Sequence, residues 1–223
     1  EVEITNLNRI RAGLFDIGRN KSHIAAEHIY ALDPYAQVRL WDKGISKETL
    51  EDFISNDFPL DIFIDEMDSL DLKVLARFVS QKKGIPVLMA TDNGDSIVLD
   101  VERFDQEPQR KIFHNLLGDF SASDMEGLDY RQWLQLATKI VGPEYLTERM
   151  QDSVLDIGKN IPAVPQLGPT ASMAGAAISY VVRRIANNQA MPSGRYIVGL
   201  EEKLIPDYNS PLAISARKNK TQR

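Results

Sequence analysis

The chain has 223 residues, of which 43% are apolar and 26% charged, and its net charge is −6. That length allows one large buried core or two small ones, and the composition is that of a globular protein rather than a disordered or fibrous one. The negative charge argues against broad nucleic-acid binding, and the lack of cysteine removes disulfides, thiolate zinc sites and any persulfide or thioester step within this chain.

In chain order, Glu1-Val2-Glu3-Ile4 reads as the end of a strand, with no initial Met, so a segment before residue 1 is expected. Nothing resembles a signal peptide, which points to the cytoplasm. Asn6 to Asp16 reads as loop. Gly18 opens a helix whose Ile24, Ala25, His28, Ile29 and Leu32 share one face, with His28 packed and hydrogen-bonded, and Asp33-Pro34 ends it. Ala36 to Trp41 alternates like a strand. Ser46 caps a helix with acids in its first turns. Leu60 to Asp65 is a buried strand. Leu70 to Lys83 is a helix with Leu72, Leu75, Ala76 and Val79 facing inward, closed by Gly84. Ile85 to Ala90 and Ile97 to Val101 are apolar strands.

After about residue 105 the pattern becomes helical. Helices are expected over Asp129 to Val141 and Glu144 to Ile157, the second with Pro143 near its first turn. A proline-bearing loop covers Ile161 to Pro169. Thr170 to Asn187 is a helix rich in small residues, too short for a membrane span and suited to a core or subunit contact. Arg195 to Leu200 is a strand, and the basic tail from Ser215 is expected to fray. Asp100, Glu102 and Asp105 read as a solvated acidic face rather than paired catalytic acids. Trp41 and Trp133 read as core or interface residues.

Strands alternating with helices predict an α/β fold: a Rossmann-like three-layer sandwich with a mostly parallel sheet and a helical C-terminal part. We expect one domain over 1–223, with a nucleotide-binding half at 1–105 and a mainly helical half at 106–223. In such sheets ligands lie beyond the carboxyl ends of the strands. The loops after Ile4, Ile64 and Ala90 then share an edge, which gathers Arg9, Lys21, Asp65, Asp68 and the Thr91-to-Asp95 loop. Cations beside the free N–H groups of a helix start make a phosphate site. Arg9 and Lys21 suit that role, or are solvated surface charges. Asp68 is either a ligand to a divalent cation or an N-cap before Ser69-Leu70.

Four stretches in order carry a resemblance: Asn6-Leu7-Asn8-Arg9, Gly18-Arg19-Asn20-Lys21, Asp33-Pro34, and Asp61 to Ser69 (DIFIDEMDS). Together they resemble the ThiF/MoeB/ubiquitin-activating family, whose pattern runs S-N-L-N-R-Q, G-x-x-K, N-P and D-x-V-x-D-x-x-D-N. The match covers roughly the first hundred residues. The resemblance implies an ATP-binding fold that adenylates a carboxylate, either the C-terminus of a ubiquitin-like or other small protein or a small-molecule acid. It implies Arg9 and Lys21 as catalytic phosphate contacts, Asn6 beside them on the nucleotide, and Asp68 as the Mg²⁺ ligand. It also implies a homodimer, while the net charge and the short small-residue helix argue against nucleic-acid and membrane partners. Acyl adenylation needs positive charge at the α-phosphate and a carboxylate-held Mg²⁺.

The chain departs from the family at several points. Ser69 replaces the usual Asn, Lys73 stands where an arginine is usual, and no CxxC pair or thioester cysteine is present. The Gly-rich loop and the ribose-binding acid would both precede residue 1. Two other readings stay open: a nucleotide-binding scaffold or regulatory domain of a larger fused protein without turnover, and an NAD- or FAD-binding reductase module.

Overall fold

The computed structural model describes residues 1–221 apart from 57, 126, 143–144 and 162–163. Its frame is a four-stranded sheet of β1 (Phe63–Ile64), β2 (Val87–Asp92), β3 (Ser96–Glu102) and β4 (Gly194–Gly199), in that order across the sheet. β1 and β2 are parallel, joined by helix α3 (Leu70–Lys83). β2–β3 and β3–β4 are antiparallel. The expected mostly parallel sheet is therefore corrected. Only Asn93, Gly94 and Asp95 separate β2 from β3, and a parallel connection needs a crossover of about a dozen residues. Gly94 takes φ +83°, the left-handed conformation that such a tight turn requires.

Side chains alternate across the sheet and divide the core in two. Val87 and Met89 of β2 face α3, α2 (Leu50–Ser55) and α4 (Tyr130–Val141), in a cluster with Leu50, Ile54, Val74, Phe104, Phe113 and Ile140. Leu88 and Ala90 face α6 (Gly168–Ala186), with Leu99, Val101, Ala174, Ile178 and Val181. Helices on both faces of the sheet give the three-layer α/β architecture expected. The buried residues of α6, Thr170, Ala174, Ile178 and Val181, follow helical spacing along one stripe. β4 comes from the second half of the chain and completes a sheet built from the first.

Local signals account for the helix ends. The Ser69 hydroxyl accepts from the Leu72 N–H at the start of α3, and Gly84 closes that helix at φ +67°. Asp129 caps α4, and Gln132 returns the bond to the Asp129 N–H. Helix α1 (Lys21–Leu32) starts at Asn20, whose side chain accepts from the Ser22 N–H.

Other expectations change. Residues 1–4 form no strand: a 3₁₀ turn occupies Ile4–Asn6. Ala36 to Trp41 has no ladder partner in the sheet, and alternation without a partner makes no strand. Thr49, not Ser46, precedes α2, and its hydroxyl accepts from the Ser46 N–H. On α1 only Ile24 and Ala26 are buried; Ala25, His28, Ile29 and Leu32 are exposed, Leu32 at 82%. On α3, Leu72 is not in the core, whereas Val74, Ala76, Arg77 and Ser80 are buried. The expected helix from Glu144 begins at α5 (Glu148–Asp156) behind a Thr147 cap, and Pro143 and Glu144 lie outside the described residues. Part of the 161–169 loop, residues 162–163, lies outside them too. After a short turn of helix at Glu201–Leu204 (α7), the tail is helical as α8 (Pro211–Thr221), and residues 222–223 lie outside the described residues.

Candidate functional site

The carboxyl ends of β1 and β2 open on one edge of the sheet, with Asn8 against the start of α6 and Arg9 near the end of β2. The Asn8 side-chain NH₂ donates to the Gln166 carbonyl at 2.7 Å. The Asn8 carbonyl sits so close to Gly168 that a Cβ there would meet it at 2.2 Å. Gly168 is thus fixed by a backbone-to-backbone approach. Two residues on, the Thr170 hydroxyl donates to the Gly94 carbonyl at 2.6 Å and ties the start of α6 to the β2–β3 turn.

Arg9 is half-buried. Its guanidinium donates to the Thr5 carbonyl at 2.7 Å and to Asn8 Oδ1 at 3.1 Å. Its charge also reaches Asp92 at the end of β2: burial pushes the Asp92 carboxyl up, and Arg9 opposes that. Arg9 therefore lies near Asp92 at the end of β2. Asn6 is buried, and its Oδ1 accepts from the Glu3 N–H at 3.0 Å, so its side chain shapes the 3₁₀ turn beside Arg9. Lys21 is the first residue of α1 and is exposed. Asp68 is exposed just before the Ser69 cap, so the capping role belongs to Ser69. No hydrogen bond joins Lys21 or Asp68 to Arg9.

Asp65, the residue after β1, is completely buried. Its N–H continues the parallel ladder to the Leu88 carbonyl at 2.8 Å. Its carboxylate accepts from Arg77 at 2.5 Å, from Lys73 Nζ at 3.1 Å and from the Met67 N–H at 3.1 Å. Burial pushes this carboxyl up, but the charges of Arg77 and Lys73 outweigh it and hold it below the usual range. Arg77, also 0% exposed, donates through Nε to Glu102 at 2.6 Å and stacks 3.8 Å from the Phe113 ring centroid. The second Glu102 oxygen accepts from the Phe113 N–H at 2.6 Å. Glu66 takes the place of a strand carbonyl, accepting from the Ala90 N–H at 3.1 Å. Desolvation of its carboxyl end against β2 raises it to about 7, and the Ala90 N–H opposes this.

The acids of β3 are not a solvated face, which corrects that expectation. Asp100 is buried beneath a bidentate Arg195 fork at 2.7 Å, with His114 at 3.0 Å. Only Asp105 is partly exposed, paired with Arg103. The sequence reading missed Arg77, Asp100, Glu102 and Arg195 as a set. Two signals were available: a charged residue on the apolar face of α3, and acids alternating within a strand whose neighbours are all apolar.

The donor set suits ATP and Mg²⁺. Arg9 and Lys21 are cations, and Asp68, in the loop between β1 and α3, presents an exposed carboxylate. Among the described residues no group of three or more His, Asp or Glu forms a protein cage for a metal. Mg²⁺ does not need one, since it commonly takes one or two carboxylates with phosphates and water completing the shell.

The chain belongs to the ThiF family, which matches residues 1–202. It is 39% identical over 204 residues to the uncharacterized protein MT1398 of Mycobacterium tuberculosis (strain CDC 1551 / Oshkosh), covering 92% of this chain and 28% of that protein. The chain thus spans little more than a quarter of the curated relative it matches. Among solved structures the fold is similar to PaaA, at 18% identity and a TM-score of 0.59, over 91% of this chain and 59% of PaaA. It is also similar to E. coli MccB, solved together with a form of MccA, at 15% identity and a TM-score of 0.54, over 89% of this chain and 54% of MccB. Family membership supports ATP-dependent adenylation at the level of the family. Among the described residues no helix is long and apolar enough to cross a membrane.

Proposed function

We propose that the protein containing this chain activates a carboxylate by ATP-dependent adenylation. The observation that carries this reading is the ThiF match over residues 1–202, which contains all four motifs. Arg9, fixed by the Thr5 carbonyl at the carboxyl edge of the sheet, takes up negative charge on the phosphates as the α-phosphorus is attacked. Lys21 adds a second, exposed cation at the start of α1. Asn6 holds the turn that presents Arg9, on the side where the nucleotide lies. Asp68 would hold Mg²⁺, which would supply positive charge against that of the phosphates. The acceptor is the C-terminal carboxylate of a peptide or small protein, such as a ubiquitin-like one, or a small-molecule acid; MccB solved with a form of MccA supports the first kind. The unit acts in the cytoplasm as one domain over 1–223 and as a homodimer, which light scattering of the purified protein checks.

A second reading, a nucleotide-binding scaffold without turnover, is favoured by Lys73, whose ammonium is engaged with Asp65 rather than free. Incubation of the full-length protein with ATP, Mg²⁺, radiolabelled pyrophosphate and candidate acceptors separates the two. Label entering ATP supports adenylation. Tight ATP binding with no exchange for any acceptor supports the scaffold, and tight NADH binding without ATP binding overturns both.

A further inference from the structure

The loop from Asp65 to Ser69 has an uneven pattern of restraint. Asp65 is pinned through its N–H to Leu88 and through its carboxylate to Arg77, Lys73 and the Met67 N–H. Glu66 is pinned to the Ala90 N–H. Met67 is held by the Asp65 carboxylate, and Ser69 is occupied with the Leu72 N–H. Asp68 alone in this run has no hydrogen-bond or ion-pair partner among the described residues and faces solvent. A loop anchored on both sides of one free carboxylate is preorganised for something that the carboxylate meets from outside.

The anchor is charged where an apolar one would serve stability as well. Arg77 is fully buried between Asp65, after β1, and Glu102, at the end of β3. Replacing such a buried set by apolar residues of similar volume is often neutral or stabilising. Packing alone therefore gives no reason to keep it. Geometry gives one: only a carboxylate at position 65 can receive the Met67 N–H and the Lys73 ammonium on one oxygen while a cation holds the other. Arg77 is that cation, and Glu102 fixes its Nε from the far side. The four charges balance, two acids against Arg77 and Lys73.

We infer that Asp65 and Arg77 are positioning residues, which set the 65–69 loop so that Asp68 meets the metal of a bound metal–nucleotide complex, with the Lys73 ammonium alongside. This rests on the role proposed for Asp68. The ligand class is a divalent cation carried by a nucleoside triphosphate. Residues that orient a metal ligand commonly affect metal affinity or activity by roughly 10–100-fold.

The test uses the full-length protein with ATP and Mn²⁺, following the electron paramagnetic resonance signal of bound Mn²⁺, alongside the pyrophosphate exchange. Asp68→Ala should abolish the bound signal. Asp65→Asn keeps the shape of the side chain but removes its charge, and should weaken Mn²⁺ binding by roughly 10–100-fold. It should likewise raise the Mg²⁺ concentration for half-maximal exchange, with the rate recovering at high Mg²⁺. Glu102→Gln, two bonds further along the relay, should give a smaller shift in the same direction and stands in for Arg77 variants that fail to fold. A melting temperature that falls in Asp65→Asn and Glu102→Gln while their Mn²⁺ affinity stays at the wild-type value overturns the inference. So does Mn²⁺·ATP binding that survives Asp68→Ala. Exchange that is absent while Mn²⁺ binding behaves as described overturns the adenylation reading and leaves the positioning role standing.

Discussion

Residues 63–102 and residues 1–45 are held by different forces. The first region is a βαβ unit with a hairpin, apolar on both faces of the sheet, and stitched through its middle by buried charges. The second has one short helix with only two buried residues, and it leaves Phe15 fully exposed and Tyr35 at 90%. Yet the second region carries the proposed phosphate contacts Arg9 and Lys21, and the first contributes to the proposed site only through its rim, at Asp68. In this molecule rigidity and candidate chemistry are assigned to neighbouring but different stretches of chain, as is common when functional loops stand on a stable scaffold.

Substitutions that separate stability from activity sharpen this contrast. The largest effect is expected for Arg77→Met. It leaves Glu102 without a cation and Asp65 with Lys73 alone, and should cost about 3–5 kcal/mol in urea unfolding. Next, Lys21→Ala should lower pyrophosphate exchange by roughly 10²–10³-fold. Because Lys21 is exposed, its unfolding free energy should move by less than about 0.5 kcal/mol. A large loss of stability there, or unchanged exchange, would erase the distinction. Gly168→Ala drives a Cβ into the Asn8 carbonyl and should cost about 1–3 kcal/mol. It should also raise KM for ATP through the displaced Arg9 turn.

The smallest effect concerns acid. Burial raises the Asp100 carboxyl, but hydrogen bonds from Arg195 and His114 bring it below its ordinary value of 3.8. The ionised form is therefore favoured by folding. Its contribution is complete above the unfolded value and fades as pH falls from about 3.8 through the lower folded value. An Asp100→Asn variant, less stable at neutral pH, should lose less additional stability than the wild type between pH 4 and pH 2, as followed by circular dichroism.

Much of the scaffold was legible because its signals are local. α3 runs from a serine cap to a left-handed glycine, and α6 repeats its buried residues at helical spacing. The antiparallel turn is missed: Asn93-Gly94 is a hairpin signal, but the stretch is read as a ligand loop. Ala36 to Trp41 shows the opposite failure, where the alternation is real but strand formation depends on a partner that no window contains. The buried relay was harder still. Arg77 and Glu102 are 25 positions apart, and Asp100 and Arg195 are 95 apart. Periodicity measures neighbours and is silent about pairs closed by the fold. At the candidate site, motifs specify residue types and not whether Lys73 is free or engaged.

The turn after β3 carries one consequence beyond the site. Phe113, His114 and Asn115 all lie at positive φ, a conformation that bulky residues avoid. The Phe113 N–H is buried in its bond to Glu102 at 2.6 Å, and its ring lies under Arg77. This amide can exchange with solvent only when the turn lets go of Glu102. Its hydrogen-exchange rate is thus a single-residue gauge of whether the charge relay is intact, readable in the native protein with no ligand added and no substitution made.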